Sequence, residues 1–391
     1  MKQIYMDFAA TSPVKDKVLQ AMLPYFSNNF GNPSSIHRFG RVARKAVEDS
    51  RAVVAKFFKV SPEEIIFTSG GTESDNLAIK GLINVLNLSA TYKPHIITSA
   101  FEHHAVLETC EDLERRGFAE VTYIKPNKDG IVAPEDVKDA IKKNTVLVTI
   151  MYVNNEIGTV QPIEKIAKIV KKINKNIYIH TDAVQAIEYQ PCDIAKLGVD
   201  MLSLSAHKFG GPKGVGVLFL AKGIKIHREN IGGAQEFKLR AGTENVPGIV
   251  GMAQALAMLN KQKITDIQKL EKNRDYFISE ILTKIPDCFL NGSAILRNPN
   301  NINISFKYIE GEAILLHLNA VGIAASSGSA CTSGSLDPSH VLLAIGLRHE
   351  DAHGSIRFTI DSNTTKKDID YVVKNLERIV PMLRKMSPVA E

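Results

Sequence analysis

Tryptophan is absent from the 391-residue sequence, and cysteine is scarce. The four cysteines, Cys110, Cys192, Cys288 and Cys331, lie far apart along the chain. Their spacing contains no CxxC redox pair, no zinc-ribbon pattern and no dense disulfide framework. The sequence therefore indicates a reducing compartment, and we expect Cys110, Cys192 and Cys288 to be small buried apolar groups.

Long apolar runs are also missing. No stretch approaches the roughly 18 apolar residues that a membrane-spanning helix needs. The first residues, Met1 to Asp7, contain neither a long apolar h-region nor a small-residue cleavage site. We therefore expect a cytoplasmic protein with no membrane partner.

The sequence has no strong charge of one sign. Its formal net charge of +6 is small for this length, and the lysine-rich stretch 165–175 is typical of an exposed helix face. Aromatic residues do not interleave with the basic ones, as base stacking would favour. These features argue against nucleic acid as a direct partner. The HExxH spacing of a zinc site is absent as well, and no metal ligand is assigned with certainty.

Short β-rich runs alternate with amphipathic helical stretches between about residue 60 and residue 220. This alternation predicts an α/β fold with a mixed, mostly parallel seven-stranded sheet covered by helices. The runs Val146–Met151 and Ile177–Ile179 are apolar almost throughout, so we place them at the centre of the sheet. The predicted strands are Glu64–Thr68, His95–Ser99, Glu120–Ile124, Thr145–Val153, Ile177–Thr181, Met201–Ser205 and Val215–Leu220.

A different order of elements follows Pro247, where a long helical pattern continues to about Leu282. We predict a large domain over 14–255 and a smaller α+β domain over 256–391, with residues 1–13 packed on the small domain. The elements predicted for the small domain are a strand at Asn301–Phe306, a helix at Glu312–Leu318, a strand at Ser355–Thr359 and a final helix from Lys366.

The first chemical signal is a glycine-containing turn between a predicted strand and a predicted helix. The strand Glu64–Thr68 runs into Ser69-Gly70-Gly71-Thr72-Glu73-Ser74, and the helix begins near Asp75. Backbone N–H groups at Gly71, the hydroxyl of Thr72 and the helix N-terminus together suit a phosphate group. An ordinary turn with a helix cap has the same sequence, and on its own that alternative is the commoner case.

Two charged residues follow neighbouring predicted strands. Asp182 comes after the strand Ile177–Thr181, and Lys208 comes shortly after the strand Met201–Ser205. Ligands of open α/β sheets bind at the carboxyl ends of the strands, so both side chains should meet the phosphate turn in one crevice. A lysine for a Schiff base, an acid for the pyridinium nitrogen and an anion site are what pyridoxal phosphate requires.

Seven motifs in chain order carry a family resemblance. They are Ser69–Asn76, Glu102-His103, Val153–Gly158, His180–Gln185, Ser205–Lys208, Arg240–Thr243 and Ser326–Ser333. The ordered set, which lies between Asp7 and about Arg357, resembles that of the cysteine desulfurases, which belong to the class-V aminotransferase family. The long Ser/Gly-rich stretch around Cys331 is similar to that of their NifS/IscS-like branch. The stretch before Arg240 departs from the usual family pattern, and His104, where relatives often have another residue, is assigned no role.

The resemblance implies a fold-type-I pyridoxal-phosphate enzyme that acts as a homodimer and removes sulfur from L-cysteine. It implies that Lys208 bonds to the cofactor, that Asp182 keeps the pyridine nitrogen protonated, and that His103 stacks on the ring and is a candidate base. The other implied cofactor contacts are Gln185 with the phenolate oxygen, Asn155 beside the ring, Gly71, Thr72, Ser205 and His207 at the phosphate, and Thr243 reaching the phosphate of the partner subunit.

The same resemblance assigns the substrate contacts. Arg357 matches the arginine that holds the substrate carboxylate, a bidentate contact that suits a guanidinium group. Asn155 and Asn32 also line the substrate pocket in this interpretation. Without the resemblance, Arg357 would be taken for an outward-facing charge on a strand, and His103 for a surface imidazole at a helix start.

Cys331 differs from the other cysteines in its surroundings. It lies in the predicted loop 326–337, among serine, glycine and threonine residues with almost no apolar bulk to bury it. Such a sequence predicts an exposed loop. The alternative, a Ser/Gly linker with an incidental thiol, does not explain why a reactive group is left unprotected.

The resemblance implies that Cys331, as a thiolate, attacks the substrate sulfur and carries it as a persulfide while alanine is released. The acceptor would be an iron–sulfur scaffold protein or a tRNA-thiolation relay protein. In such a complex Cys331 is also a candidate iron–sulfur ligand. Two other interpretations stay open at this point, a selenocysteine lyase and a catalytically silent sulfur-transfer platform.

Overall fold

The strands of the protein are short and rich in β-branched residues, whose side chains pack well on a pleated surface. A computed structural model describes residues 2–87, 92–259, 264–327 and 337–386 of the chain. The strands in these residues are β1 (Ile4–Tyr5), β2 (Ile65–Thr68), β3 (His95–Ser99), β4 (Glu120–Ile124), β5 (Thr145–Thr149), β6 (Tyr178–Asp182), β7 (Met201–Ser205), β8 (Gly216–Leu220), β9 (Cys288–Leu290), β10 (Asn301–Phe306), β11 (Ile323–Ala324) and β12 (Ser355–Thr359).

Seven strands form the main sheet, in the order β2-β8-β7-β6-β5-β3-β4. Strand β8 runs antiparallel to β2 and β7, and the other neighbours pair in parallel. Strand β6 lies in the middle with β5 beside it. Both apolar runs therefore occupy the central positions predicted from the sequence.

Most predicted strand ends agree with the structure to within one residue, but β5 is shorter than predicted. The prediction extended it to Val153, whereas the strand ends at Thr149. Beyond this point the Met151 N–H donates to the carboxylate of Glu102, so a side chain replaces a strand carbonyl as acceptor. The segment after β5 therefore no longer continues the strand at this end of the sheet.

Helices cover both faces of the main sheet. Along β2, Ile65 and Phe67 belong to one hydrophobic cluster and Ile66 to another, as expected for a strand buried on both faces. The helices are α1 (Asp16–Met22), α2 (Pro24–Ser27), α3 (Arg38–Phe58), α4 (Gly71–Asn87), α5 (His104–Arg115), α6 (Pro134–Asp139), α7 (Ile163–Ile173), α8 (Ile194–Leu197), α9 (Val246–Leu259), α10 (Ile264–Lys284), α11 (Gly311–Ala320), α12 (His340–Ala344), α13 (His349–His353) and α14 (Lys366–Arg384).

A second group of elements surrounds a three-stranded antiparallel sheet, ordered β12-β10-β9. Ile4 and Met6, near the start of the chain, belong to the hydrophobic cluster of this group together with residues of α10, α11 and α14. Val341 and Leu342 of α12 belong instead to a cluster of the main sheet. The division of the chain at residues 255 and 256 stays a prediction.

The described cysteines are free thiols, and one of them is less buried than predicted. Cys110 and Cys192 are buried, whereas Cys288 is only partly buried. Cys288 begins β9, which lies at the edge of its sheet and leaves one side without a neighbouring strand. Among the described residues, no helix is both long and apolar enough to cross a membrane.

Candidate active site

A cavity of about 390 Å³ opens where the parallel strands of the main sheet end. Segments that follow β2, β3, β5, β6 and β7 form most of its walls, as expected for a ligand site in an open α/β sheet. The predicted site residues that line it are Gly71, Thr72, His103, Asn155, Asp182, Gln185, Ser205, His207, Lys208 and Arg357. The fold therefore brings most of the predicted side chains together.

Three predicted residues are not part of this lining. Asn32 is exposed, and its Oδ1 accepts a hydrogen bond from the Ser34 N–H at 2.9 Å. Thr243 is exposed and lies outside the cavity of its own chain. Cys331 falls outside the described residues. The roles assigned to these three residues stay predictions.

Lys208 is held at the cavity wall by main-chain oxygens from the start of the chain. It ends a short 3-10 turn that directly follows β7. Its Nζ donates to the carbonyl of Ala9 at 2.6 Å and to that of Ala10 at 2.9 Å. Both carbonyls belong to residues 7–12, which we name the N-terminal strap. Sequence reasoning missed the strap because its partners lie about two hundred positions away.

Hydrogen bonds fix the strap to the turn that carries the lysine. The Ser12 Oγ donates to the carbonyl of His207 at 2.7 Å and accepts from the Gly210 N–H at 2.8 Å. The Thr11 Oγ1 lies 3.1 Å from Nδ1 of His207. The side-chain amide of Gln185 donates to the Ala9 carbonyl at 2.9 Å. The strap therefore joins several predicted cofactor-binding residues.

Two buried aspartates line the cavity, Asp182 at the end of β6 and Asp75 in α4. Burial raises the pKa of Asp182 to about 6, although the Val184 N–H and the charge of Lys208 act in the opposite direction. Burial and repulsion from Asp182 raise the pKa of Asp75 well above its usual value. Neither carboxyl oxygen of Asp75 has a hydrogen-bond partner among the described residues. The opposing effects of the two groups therefore favour the shared proton on Asp75 rather than on Asp182.

His180 of β6 is buried beside Asp75. Its Nδ1 lies 2.8 Å from the Thr149 hydroxyl and its Nε2 lies 3.0 Å from the Ser203 hydroxyl. Burial lowers the pKa of His180 to about 3, so the ring is neutral at pH 7. Its Nε2 also lies 3.6 Å from Oδ1 of Asp75.

An anion cradle forms where β2 gives way to α4. Helix α4 begins at Gly71, and a Cβ atom there would lie only 2.7 Å from Cγ2 of Val184. Glycine keeps this space open, while Thr72, Ser205 and His207 line the cavity beside it. Backbone N–H groups and hydroxyls at a helix N-terminus suit a phosphate group.

Three imidazoles line another part of the cavity, those of His103, His104 and His340. His103 caps the start of α5 by accepting the Ala105 N–H at its Nδ1, at 3.1 Å. Burial and nearby positive charges lower the pKa of His103 to about 4. The ring centroids of His104 and His340 are 4.7 Å apart. The local sequence around His340 carries no signal of this long-range contact.

Arg357 reaches the cavity from β12 of the second sheet. Its side chain is 3% exposed, and its Nη2 forms an ion pair with Oδ1 of Asp7 at 2.9 Å. Its Nη1 donates to the carbonyl of Asn155 at 2.9 Å. The Nε of Arg357 and the Oδ1 of Asn155 are buried without a hydrogen-bond partner among the described residues. The open N–H donor on this buried guanidinium suits an incoming carboxylate.

Glu102 is a buried carboxyl group next to the cavity that sequence reasoning left without a role. The Ser99 hydroxyl donates to it, and the Met151 N–H lies 3.0 Å from both of its oxygens. Burial raises the pKa of Glu102 to about 8 despite these bonds. The group is therefore mostly protonated at neutral pH, and it anchors the segment that follows β5.

Both described flanks of the predicted cysteine loop lie at the cavity. On one side, the Arg357 N–H donates to the carbonyl of Ser326 at 2.7 Å. On the other side, the Ser339 hydroxyl donates to Glu156 at 2.5 Å, and Glu156 and His340 line the cavity. Residues 328–336, which include Cys331, lie outside the described residues.

Pyridoxal phosphate fits this set of groups. The glycine cradle leaves room for an anion, the buried Asp182 can pair with a pyridinium nitrogen, and Lys208 supplies an amine. The side-chain oxygens Oδ1 and Oδ2 of Asp75 and Oδ1 of Asn155 are buried without a hydrogen-bond partner among the described residues. They are therefore open to polar groups of a bound cofactor or substrate. The donors thus match the chemistry of the cofactor.

Comparison with known families agrees with the geometry. Residues 4–372 match the family described as aminotransferase class-V. The chain belongs to this family. It is 52% identical to the cysteine desulfurase IscS of Dictyoglomus turgidum, a match that covers 99% of this chain and 97% of that protein. It is 51% identical to the cysteine desulfurase IscS of Methanosarcina thermophila, over 99% of this chain and 94% of that protein.

Solved structures show the same relationship. A NifS-like protein superposes with a TM-score of 0.91 at 38% identity, covering 98% of this chain and all of the other (100%). The structure of SspA in complex with cysteine gives a TM-score of 0.81 at 36% identity, covering 93% of this chain and 100% of that one. The predicted family and fold are therefore confirmed, and pyridoxal phosphate is the cofactor of this class-V aminotransferase.

Proposed function

We propose that the chain is a cysteine desulfurase, which converts L-cysteine to L-alanine and retains the sulfur as a persulfide on Cys331. One observation carries this proposal. A single cavity joins the lysine and acid that suit the cofactor to a buried arginine that suits a carboxylate, and both flanks of the predicted cysteine loop lie at that cavity.

Bound pyridoxal phosphate supplies an electron sink for the carbon atom next to the substrate amine. Asp182, as a buried carboxylate, favours the protonated pyridine nitrogen that makes this sink effective. Arg357 orients the substrate by binding its carboxylate, and Asp7 and the Asn155 carbonyl fix the guanidinium plane. The amine of Lys208 lies on the same cavity wall and takes the proton from Cα.

We further propose that a second copy of the chain completes the site. Thr243 is exposed, and its segment is tied to the cradle because Nε of Arg240 pairs with Glu73 at 2.8 Å. Large apolar side chains near the N-terminal helices are exposed as well, including Phe26 at 60% and Phe30 at 65%. Their burial in a homodimer would remove this apolar surface from water.

The proposed sulfur acceptor is an iron–sulfur scaffold protein or another sulfur-carrying protein, and the proposed compartment is the cytoplasm. The scarcity of cysteine and the free thiols of the three cysteines that the structure describes support a reducing environment. In a complex with a scaffold, Cys331 would also be a candidate cluster ligand.

Purified protein loaded with pyridoxal phosphate tests the proposal when it is given L-cysteine and a reductant. We expect alanine and sulfide in equal amounts. Lys208→Ala should abolish both products while keeping some cofactor bound without a covalent link. Cys331→Ala should bind cysteine but release almost no sulfide, whereas the control Cys288→Ala should turn over normally. A Lys208→Ala variant with wild-type rates, or a cofactor-loaded wild type that forms neither product, would refute the assignment.

A further inference from the structure

The middle strand of the second sheet, β10, is buried on both faces, yet only one face is apolar. Side chains alternate between the two faces of a strand. Three of them belong to the hydrophobic cluster of this sheet, and the other three are polar and at most 3% exposed. The apolar residues are Ile302, Ile304 and Phe306, and the polar residues are Asn301, Asn303 and Ser305. A buried polar face requires hydrogen-bond partners in the segments that cover it.

Strand β12 continues the polar side chains across the sheet. Residues directly opposite each other in an antiparallel pair lie on the same face. Three such pairs are formed, and we name their six buried residues the polar face. The pairs are Asn301 with Thr359, Asn303 with Arg357, and Ser305 with Ser355. Arg357 is therefore one member of a larger polar set, and its neighbours determine what surrounds it.

One segment that covers the polar face is the turn 154–158, which carries Asn155 of the cavity. The Glu156 carbonyl accepts hydrogen bonds from two side-chain amides, that of Asn301 at 3.1 Å and that of Asn303 at 3.0 Å. The preceding carbonyl, that of Asn155, accepts from Nη1 of Arg357 at 2.9 Å. Two successive carbonyls of the turn thus bind donors of the polar face.

The turn itself has a defined backbone conformation. Oδ1 of Asn154 accepts from the N–H groups of Glu156 at 2.9 Å and of Ile157 at 3.0 Å. Gly158 has a φ angle of 70°, and a Cβ atom there would lie 2.5 Å from the side chain of Asn301. The turn therefore lies directly against the polar face, and the asparagine amides fix its distance from Arg357.

Both partners of the Arg357 guanidinium are held by neighbours of Arg357 on the polar face. Asp7, which pairs with Nη2, belongs to the N-terminal strap, and Thr359 binds this strap by accepting the Ala9 N–H at 2.9 Å. Asn303 in the same way holds the turn whose carbonyl binds Nη1. The Nε of Arg357 stays without a hydrogen-bond partner among the described residues. The polar face therefore orients the guanidinium and leaves one donor open.

We propose that Asn303 is a positioning residue for recognition of the carboxylate of an amino acid. Its amide holds the Glu156 carbonyl, so the adjoining Asn155 carbonyl keeps the guanidinium of Arg357 in the orientation that receives the ligand. Asn303 is not part of the cavity lining and acts through Arg357. Arg357 binds the carboxylate in the proposed function, on which this inference rests.

Binding of L-alanine and of ethylamine to the cofactor-loaded protein tests the role without turnover. Ethylamine is alanine without its carboxylate, and the absorbance of the bound cofactor reports both ligands. Asn303→Leu keeps nearly the same shape but removes the amide, so the dissociation constant of L-alanine should rise about tenfold. The dissociation constant of ethylamine should stay unchanged. Asn303→Ala, which adds no bulk, should give the same selective loss.

Two control variants separate positioning from general destabilisation. Ile304→Val lies on the apolar face of the same strand and weakens the packing of the protein alone. Ser305→Ala removes a hydroxyl of the polar face that accepts from the Asn291 amide at 2.9 Å and not from the turn. We expect both controls to bind the two ligands as the wild type does. Equal weakening of L-alanine and ethylamine in Asn303→Leu would overturn the inference.

A double-mutant cycle with Arg357→Lys tests whether Asn303 acts through the guanidinium. Lysine keeps the charge but has no planar group for the Asn155 carbonyl to orient. Asn303→Leu should therefore change the affinity for L-alanine little in this background, whereas two losses that simply add would contradict the inference. A wild type that forms no alanine from L-cysteine would refute the desulfurase proposal, and the binding comparison would still decide the role of Asn303.

Discussion

Burial sets the charge of single side chains around the cavity more strongly than their residue type does. Burial raises the pKa of Asp75 and keeps Glu102 mostly protonated at neutral pH, while it keeps His180 and His103 neutral. The Val184 N–H and, to a smaller extent, the charge of Lys208 favour the ionised form of Asp182 against the effect of burial. The cavity therefore contains few net charges apart from those that bind cofactor and substrate.

Glu102 makes this effect measurable in the stability of the protein. Its pKa is raised from 4.5 to about 8, so between these values the folded protein holds a proton that the unfolded chain has lost. The free energy of unfolding therefore falls as the pH rises through this window, by up to about 1.4 kcal/mol per pH unit. Glu102→Gln removes the titration and should unfold at higher urea concentration than the wild type at pH 9.

The comparison at pH 5 completes the Glu102 test, since there the difference between the two proteins should nearly vanish. Glu111→Gln on the exposed face of α5 is the control and should follow the wild type at both pH values. Equal pH dependence of unfolding in Glu102→Gln and the wild type would show that Glu102 ionises normally.

At the scale of elements, the start of α4 gives the cavity its anion cradle. Gly71→Ala would place a methyl group 2.7 Å from Cγ2 of Val184. Overpacking of this kind costs roughly 1–3 kcal/mol, so the dissociation constant of pyridoxal phosphate should rise about tenfold or more. Titration of the apo-protein with pyridoxal phosphate, followed by absorbance, measures this dissociation constant. The double variant with Val184→Ala makes room for the methyl group and should recover most of the affinity; no recovery would mean that the clash is not the cause.

The turn at Glu236–Lys238 is a second element with a clear energetic role. Three successive residues that are not glycine have positive φ angles there, 42°, 57° and 65°. Each such residue is strained by about 1 kcal/mol or more. The buried carboxylate of Glu236 holds the turn by accepting bonds from both terminal nitrogens of Arg51 and from the Phe67 N–H, each at 2.8 Å. The turn leads into the segment of Arg240.

Removal of this anchor should destabilise the fold strongly. Glu236→Ala removes the buried partner of the Arg51 charge and leaves it only the Ile65 carbonyl and the half-exposed Glu48, so the free energy of unfolding should fall by about 3–5 kcal/mol. Urea denaturation of the apo-protein gives this value. Glu229→Ala, at an exposed position in the same region, should change it by less than about 0.5 kcal/mol. A loss below about 1 kcal/mol in Glu236→Ala would show that the turn does not depend on the ion pair.

At the scale of the whole molecule, the sequence predicts those features that depend on local patterns of residues. Strands β3, β4, β7, β10 and β12 have the predicted bounds, because alternation of apolar runs and helical stretches is a local signal. The convergence of Asp182 and Lys208 also follows from the chain, since both come after parallel strands and must lie at one edge of the sheet.

Contacts between distant segments could not be predicted in this way. Nothing near Ala9 indicates that its carbonyl holds Lys208, and nothing near His340 indicates contact with His104. The raised pKa of Asp75 depends on burial, which only the assembled fold provides. The partial exposure of Cys288 was mispredicted for a related reason, because an edge position in a sheet is a tertiary property.

The central claim is that Cys331 carries the sulfur taken from cysteine. Cofactor-loaded protein is mixed with one equivalent of L-cysteine without reductant, alkylated, and digested for mass spectrometry of its four cysteine-containing regions. Under this proposal we expect alanine in the supernatant and a gain of one sulfur atom at Cys331, with none at Cys110, Cys192 or Cys288. Alanine formed with the sulfur on another cysteine, or with none on the protein, would contradict it.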